Sequence, residues 1–462
     1  MSLTTNLVSY WGFNQSSGNA TDSIGGMTLT NTSGTYSAGK VGNAWNGTGS
    51  STYLLDSSYN SGSQTNFSFG LWFKTTSTGR ADLIDFYKSD FSTVAMIQVN
   101  GYSGGSSAGR VTLNLYYSSA NHFTDASTTG LNDGNWHLVV ATVTGSATAI
   151  YIDGVSVGTN TNGSAMSLDY VSVGGDIHNT TNYLNGSVDE LGYWQRGLVQ
   201  TDVNQLYNSG AGTTYPFTNI PLYWVGTTAN WDATTTTYWA YSSGGPGGAT
   251  VPNSTNPVYF DGNSGTGIIT ITAAANALSL TTTNFGGTLS LSNSLTVSGA
   301  ITGGGTINAN GQSLSAETLT NSGTVSMGAS TITLNGTGTV CNLSGTVTPG
   351  TSTIVVSDIS SSSKTFAGGG LTYYNLTFTG GTGVHIITGS NTFNALAITT
   401  PPSTINFTAG TTQTINAFNV TGTAGNLNIL QSTVSGSNWY LASANQISID
   451  YVSLQDSHSV FL

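Results

Sequence analysis

The second half of the chain repeats at an interval too short for each repeat to be a domain. From about residue 268 onward, runs of four to six residues alternate with turns of Gly, Asn and Thr. Related strings recur: Asn375-Leu-Thr-Phe378, Ala395-Leu-Ala-Ile398 and Ala417-Phe-Asn-Val420, at intervals of 20 and 22 residues. Apolar positions alternate with Thr and Ser, as in Thr331-Ile-Thr-Leu334 and Ile447-Ser-Ile-Asp-Tyr-Val452, so an extended segment has one apolar and one polar face. That period suits one coil of a β-helix or a pair of short strands. Either way the unit is too small to close a core and buries its stripe only by stacking on neighbours. A Thr/Ser/Gly-rich β-solenoid, read as a parallel β-helix, is therefore expected over 268–462.

A first coil has no predecessor and needs cover. Aromatic residues cluster where that cover belongs, in Tyr223-Trp-Val-Gly-Thr-Thr-Ala-Asn-Trp231, Tyr238-Trp-Ala-Tyr241 and Val258-Tyr-Phe260. Residues 218–267 are read as a linker and an aromatic N-terminal cap. Pro216 and Pro221, which cannot donate to a sheet ladder, mark the boundary of a first domain over 1–217. Two or three units are also what 462 residues require, since single cores rarely grow beyond ~250–300 residues.

In the first domain, β-branched and aromatic runs at 7–13, 67–74, 110–117, 136–143, 149–153 and 188–194 lie between Gly, Asn, Asp and Ser turns, the spacing of an antiparallel sandwich. Asp153-Gly154 separates Ala-Ile-Tyr-Ile from Val-Ser-Val and predicts a type I′ hairpin over 147–158. One helix is expected over 201–209, with Val203, Leu206 and Tyr207 on one face and Gly210 closing it. The fold class is all-β: an antiparallel jelly roll followed by a solenoid.

Four segments in order carry a resemblance: Leu7-Val-Ser-Tyr-Trp-Gly-Phe13, Phe67-Ser-Phe-Gly-Leu-Trp-Phe-Lys74, Asp133-Gly-Asn-Trp-His-Leu-Val139 with the Tyr151-Ile-Asp-Gly154 turn, and Leu184-Asn-Gly-Ser-Val-Asp-Glu-Leu-Gly-Tyr-Trp194. Residues 3–217 resemble the laminin G-like, concanavalin A-like lectin/glucanase jelly roll. Val199 departs from the pattern, because the family usually places a helix-capping Ser there. The resemblance implies binding of glycans or proteins and, in some members, a structural Ca²⁺. Asp22 and Asp189 are the expected Ca²⁺ ligands, helped by backbone carbonyls. The second half resembles β-helical segments of phage virion and bacterial surface proteins, through Trp224-Val-Gly-Thr-Thr-Ala-Asn-Trp231, Lys364-Thr-Phe-Ala-Gly-Gly-Gly370 and Asp450-Tyr-Val-Ser-Leu-Gln-Asp456.

Sugar sites pair an aromatic platform with short polar side chains. Tyr116, Tyr117, Asn121, His122 and Phe123 in one segment, and Asp176, His178, Asn179, Asn182 and Tyr183 in another, have that mixture and are the expected carbohydrate-binding residues. A net charge of −12, with Lys364 the one Lys or Arg after Arg196, disfavours nucleic acid and anionic membranes. Cys341 is the sole cysteine, which excludes an intrachain disulfide. Past Asp261 the acids are Glu317, Asp358, Asp450 and Asp456, too scattered for a paired-carboxylate hydrolase, and no enzyme is expected.

Residues 1–10 lack the basic start and apolar run of a secretory signal. The combined expectation is a phage structural protein on the virion exterior, a tail-associated fibre or capsid decoration, made in the host cytoplasm. Its partners would be other virion subunits and host-surface glycans, in many copies or as a homo-oligomer. The alternatives are a bacterial surface adhesin, and an architectural subunit whose jelly roll binds only protein.

Overall fold

Strand alternation builds the first of two units, Met1–Thr218 and Asn219–Leu462. The computed structural model describes residues 3–58, 60, 62–101, 107–176 and 181–461. Two eight-stranded antiparallel sheets make up most of the first unit. Asn66–Thr75 lies centrally in one, between His137–Thr144 and Asn185–Trp194; the other runs Ala120–Asp125, Val111–Tyr117, Val94–Val99, Ala81–Tyr87, Tyr170–Val173 and onward to Ala20–Thr21. Alternate residues of both face inward. Phe69 of the first sheet stacks on Phe86 of the second at 4.5 Å between ring centroids, and Tyr193 lies 4.8 Å from Phe86. Burying such a ring contributes roughly 1.5–3 kcal/mol.

Asp153 and Gly154 both have positive φ, 49° and 87°, as a type I′ turn requires, and join Ala147–Ile152 to Val155–Asn160. The helix is Gln200–Tyr207, displaced from 201–209. Val199 has no side-chain acceptor to cap it, and Asp202 takes over by accepting the Val199 N–H at 3.0 Å. Arg196 holds that carboxylate from the other side at 2.6 Å. The C-terminus closes at Asn208, already left-handed at φ 46°, before Gly210 is reached; Asn tolerates that conformation better than most residues with a Cβ.

The second unit is a parallel solenoid whose sheets contain twelve, six and ten strands. One inward ladder passes through Leu222, Val258, Leu280, Ile301, Leu319, Cys341, Phe366, Ile387 and Phe407, each paired in register with the next. The recurrent strings stack the same way, Asn375 beside Ala395 beside Ala417. Leu222–Trp224 and Ala229–Trp231 already join parallel ladders, so stacking begins inside the aromatic segment. There, Trp239–Ala240 pairs antiparallel with Leu222–Trp224 and closes the sheet edge. No helix among the described residues is long and apolar enough to cross a membrane.

Candidate functional site

In the second sheet of the first unit, period two sends Ala95, Ile97, Val99, Leu113 and Leu115 into the core and their neighbours to the opposite face. Register aligns those neighbours into rows across four strands. Asp85 pairs with Met96, Met96 with Asn114 and Asn114 with Phe123. The adjacent row is Tyr87, Val94, Tyr116 and Asn121. These rows, with Arg80, Phe91 and Asp176, line a pocket of about 430 Å³. Its aromatic wall is preorganised: Tyr87 lies stacked between Phe91 at 5.1 Å and Tyr170 at 5.2 Å.

The floor presents acceptors that have no donor. Asn114 is buried and gives its amide N–H to Asn121 Oδ1 at 3.0 Å, which leaves its own Oδ1 unpaired; Asp85 Oδ1 is likewise buried and unpaired. Such atoms cost roughly 1–3 kcal/mol each unless a ligand, ion or water meets them.

A third row contains Asp82, Gln98, Thr112 and Asp125. A register shift between Ile97 and Gln98 inserts an extra residue into Ala81–Tyr87, and this bulge turns Asp82 and Asp85 to the same side. With Asp176 they form a group of buried carboxylates whose ligand oxygens all lie within 4.8 Å of one another. Gln98 donates to Asp82 Oδ1 at 2.7 Å, and Arg80 Nε stands 3.9 Å from the same oxygen. Burial pushes the Asp82 carboxyl up to about 7, against the pull of Arg80 and with the help of Asp176. Burial raises Asp85 well above the ordinary carboxylate range, and Asp82 and Asp176 add to it.

Of the expected sugar-binding residues, Asn121, Phe123 and Asp176 line the pocket, as does Tyr116. Tyr117 and His122 do not. They point to the other side of the sheet and stack on each other at 3.9 Å, and Tyr117 donates its hydroxyl to the Asn162 carbonyl at 3.0 Å. Asn182 sits beside the acids, its carbonyl accepting the Asp82 N–H at 3.0 Å and its Nδ2 3.5 Å from Asp82 Oδ2. Tyr183 stacks on Tyr53 at 6.3 Å. His178 and Asn179 lie outside the described residues.

Asp22 closes a local turn, whereas Asp189 ties a distant loop to its strand. Asp22 accepts the N–H groups of Tyr10, Ile24 and Gly25 at 2.8–2.9 Å. Asp189 accepts those of Lys40, Val41 and Glu190 at 2.8–2.9 Å. Among the described residues the acidic group with metal-ligand spacing is the one that contains Asp82 and Asp85, and neither Asp22 nor Asp189 belongs to it. The oxygen-only donor set, with one buried oxygen orphaned, fits a hard cation such as Ca²⁺.

Residues 46–204 match the laminin G family described as the concanavalin A-like lectin/glucanases superfamily. Among solved structures, domain 4 of AbnA, a GH43 extracellular arabinanase from Geobacillus stearothermophilus in complex with arabinotriose, is 19% identical, with 45% of this chain and 98% of that one covered and a TM-score of 0.35. The binding domain of Paraclostridial Mosquitocidal Protein 1 is 14% identical, with 44% and 52% covered and a TM-score of 0.37. A SAP-like pentraxin from Limulus polyphemus is 17% identical, with 34% and 75% covered and a TM-score of 0.27. None of the curated proteins compared matches the chain.

Proposed function

We propose that the first unit, a laminin G-like, concanavalin A-like domain with a lectin-like fold, is the glycan-binding head of a phage virion exterior protein, with the solenoid as its stalk or attachment. The observation that carries the binding role is the pocket itself, with stacked aromatic rings on its wall and two orphaned acceptors at its floor. About 430 Å³ is within the range of small-molecule sites and suits one or two sugar rings. Sugar C–H faces pack on Tyr116 and Phe123, and hydroxyl groups donate to Asn114 Oδ1. The ligand class is neutral glycans, which need rings to pack on and acceptors for their hydroxyls, bound without turnover. Each contact is worth about 1 kcal/mol, so attachment relies on many copies per particle.

The virion role is supported by the pairing of a lectin-like head with a stacked parallel solenoid and by the near absence of cationic residues beyond Arg196. An array of neutral and acidic glycans probed with the full chain at low and high salt tests the ligand class. Binding to neutral glycans that survives salt is expected, since stacking and hydrogen bonds are short-ranged. Binding confined to acidic glycans, or release of shortened sugars from the bound glycan, overturns the reading. Antibody-labelled imaging of the phage particle tests location, and a chain found only on the bacterial surface selects the adhesin alternative.

A further inference from the structure

The structure assigns a divalent cation site, selective for Ca²⁺, to the carboxylates of Asp82, Asp85 and Asp176 at the edge of the pocket. It deepens the reading of that pocket and is testable apart from it.

Three observations carry the site. The first is spacing. Two ligands on opposite sides of Ca²⁺, each ~2.3–2.6 Å from it, stand roughly 4.6–5.2 Å apart. The three carboxylates each bring an oxygen within 4.8 Å of the others, so one ion can touch all three without moving the backbone. The second is the orphaned oxygen. Asp85 is 4% exposed and its Oδ1 has no hydrogen-bond donor, whereas Asp22, Asp189 and Asp202 all have their carboxylates taken by N–H groups. An ion at the centre of the three acids supplies the missing partner. The third is charge. Arg80 Nε stands 3.9 Å from Asp82 Oδ1 with its side chain 42% exposed, while Asp82 and Asp176 both push the Asp85 carboxyl up, and a divalent ion between the acids relieves that mutual repulsion.

The donor set also selects the ion. Among the described residues no His or Cys belongs to the group, which disfavours zinc and copper. The ligands come from two bulge-related positions on one strand and one loop position. That irregular set suits Ca²⁺, which accepts variable geometry, better than Mg²⁺, which demands a near-ideal octahedron. Asp85 and Asp176 also line the pocket, so the ion's remaining coordination positions open toward it and hold water or a ligand hydroxyl.

The test uses the full chain freed of metal by a chelator and titrated with Tb³⁺, whose luminescence Tyr87 beside the acids sensitises, followed by competition with Ca²⁺ and Mg²⁺. One high-affinity site per chain is expected, displaced by Ca²⁺ at least ten-fold more effectively than by Mg²⁺. Asp85→Asn and, independently, Asp176→Asn should each weaken binding ten-fold or more, while Asp22→Asn leaves it unchanged. If one of the pocket variants fails to fold, the other decides. Undiminished binding in the folded variant, or no binding by the wild-type chain, overturns the site. Ca²⁺ binding without any glycan binding would leave the ion in place and remove the glycan reading; glycan binding indifferent to chelator, with no Tb³⁺ signal, would do the reverse.

Discussion

Removing Trp239 should open the solenoid from one end only. Its ring is fully buried and meets Trp231 at 5.0 Å and 73°, Trp224 at 5.1 Å and 86° and Phe260 at 6.0 Å and 64°, edge-to-face contacts that a smaller residue forfeits. Core Trp→Ala substitutions cost roughly 3–5 kcal/mol, aromatic pairs included. Against this stands the indole N–H of Trp239, buried without an acceptor, whose removal returns ~1–3 kcal/mol. Trp239→Ala should therefore cost about 2 kcal/mol. Trp239→Phe should cost about 1 kcal/mol or less, because it keeps a ring and drops the orphaned donor. In a stack where each coil contacts only its neighbours, the loss stays local. Hydrogen exchange on the full chain reads this out: amides in 222–231 and 257–271 should exchange about thirty-fold faster in Trp239→Ala. Those in 372–419 and in the first unit should be unchanged. Equal acceleration at 372–419 would refute the nearest-neighbour account, and a Trp239→Phe variant as damaged as Trp239→Ala would refute the assignment of the energy to ring packing.

Two further predictions concern buried charge in the solenoid. Burial and the neighbouring Lys364 hold the His385 imidazole down at about 4, so the unfolded chain takes up the proton first, near ~6.5. Stability should be flat above pH ~6.5 and fall by up to about 3 kcal/mol as pH drops toward 4. His385→Phe, stacked on Phe378 in place of the imidazole at 4.4 Å, should flatten that dependence in urea melts at pH 7 and 4.5; an unchanged slope would place the titration elsewhere. Lys364 is buried, ion-paired to the partly exposed Asp358 at 2.8 Å and also bonded to the Ser360 carbonyl, so Lys364→Met should stay within about 1 kcal/mol of wild type while Asp358→Ala, which leaves the buried ammonium with the carbonyl but no counter-charge, costs about 2 kcal/mol. The opposite order in chemical denaturation would contradict this.

Features governed by local periodicity were legible in the sequence. The Asp153-Gly154 turn and the stacking of Asn375, Ala395 and Ala417 follow from positive-φ chemistry and a short repeat. Of the acids at the site Asp176 was, as part of a polar-aromatic loop, but Asp82 and Asp85 were not. Strict alternation places Asp82 and Asp85 on opposite faces, and only the bulge between them reverses this. The one available signal was two acids interrupting an otherwise apolar run, Ala81-Asp-Leu-Ile-Asp-Phe-Tyr87. The same alternation divides a segment that reads as one polar-aromatic cluster: Tyr116, Asn121 and Phe123 reach the pocket, while Tyr117 and His122 turn away. Hairpin register decides that division, and composition carries no trace of it. At the helix end, Asn208 adopts the left-handed conformation before Gly210 does, a choice between two permissive residues that propensity alone leaves open.

The central claim is that ligands bind on the pocket side of the second sheet, and two substitutions on opposite faces of one strand test it most directly. Asn114 offers its unpaired Oδ1 to the pocket, whereas Tyr117 faces the other side, three residues along Val111–Tyr117. Affinity for the strongest neutral glycan on the array should be measured by calorimetry for the wild-type chain, Asn114→Leu and Tyr117→Ala, each confirmed folded by its melt. Asn114→Leu should weaken binding about ten-fold or more, the effect of losing an acceptor worth ~1–3 kcal/mol, and Tyr117→Ala should bind as wild type does. Loss in Tyr117→Ala with full affinity in Asn114→Leu would contradict the assignment of the site.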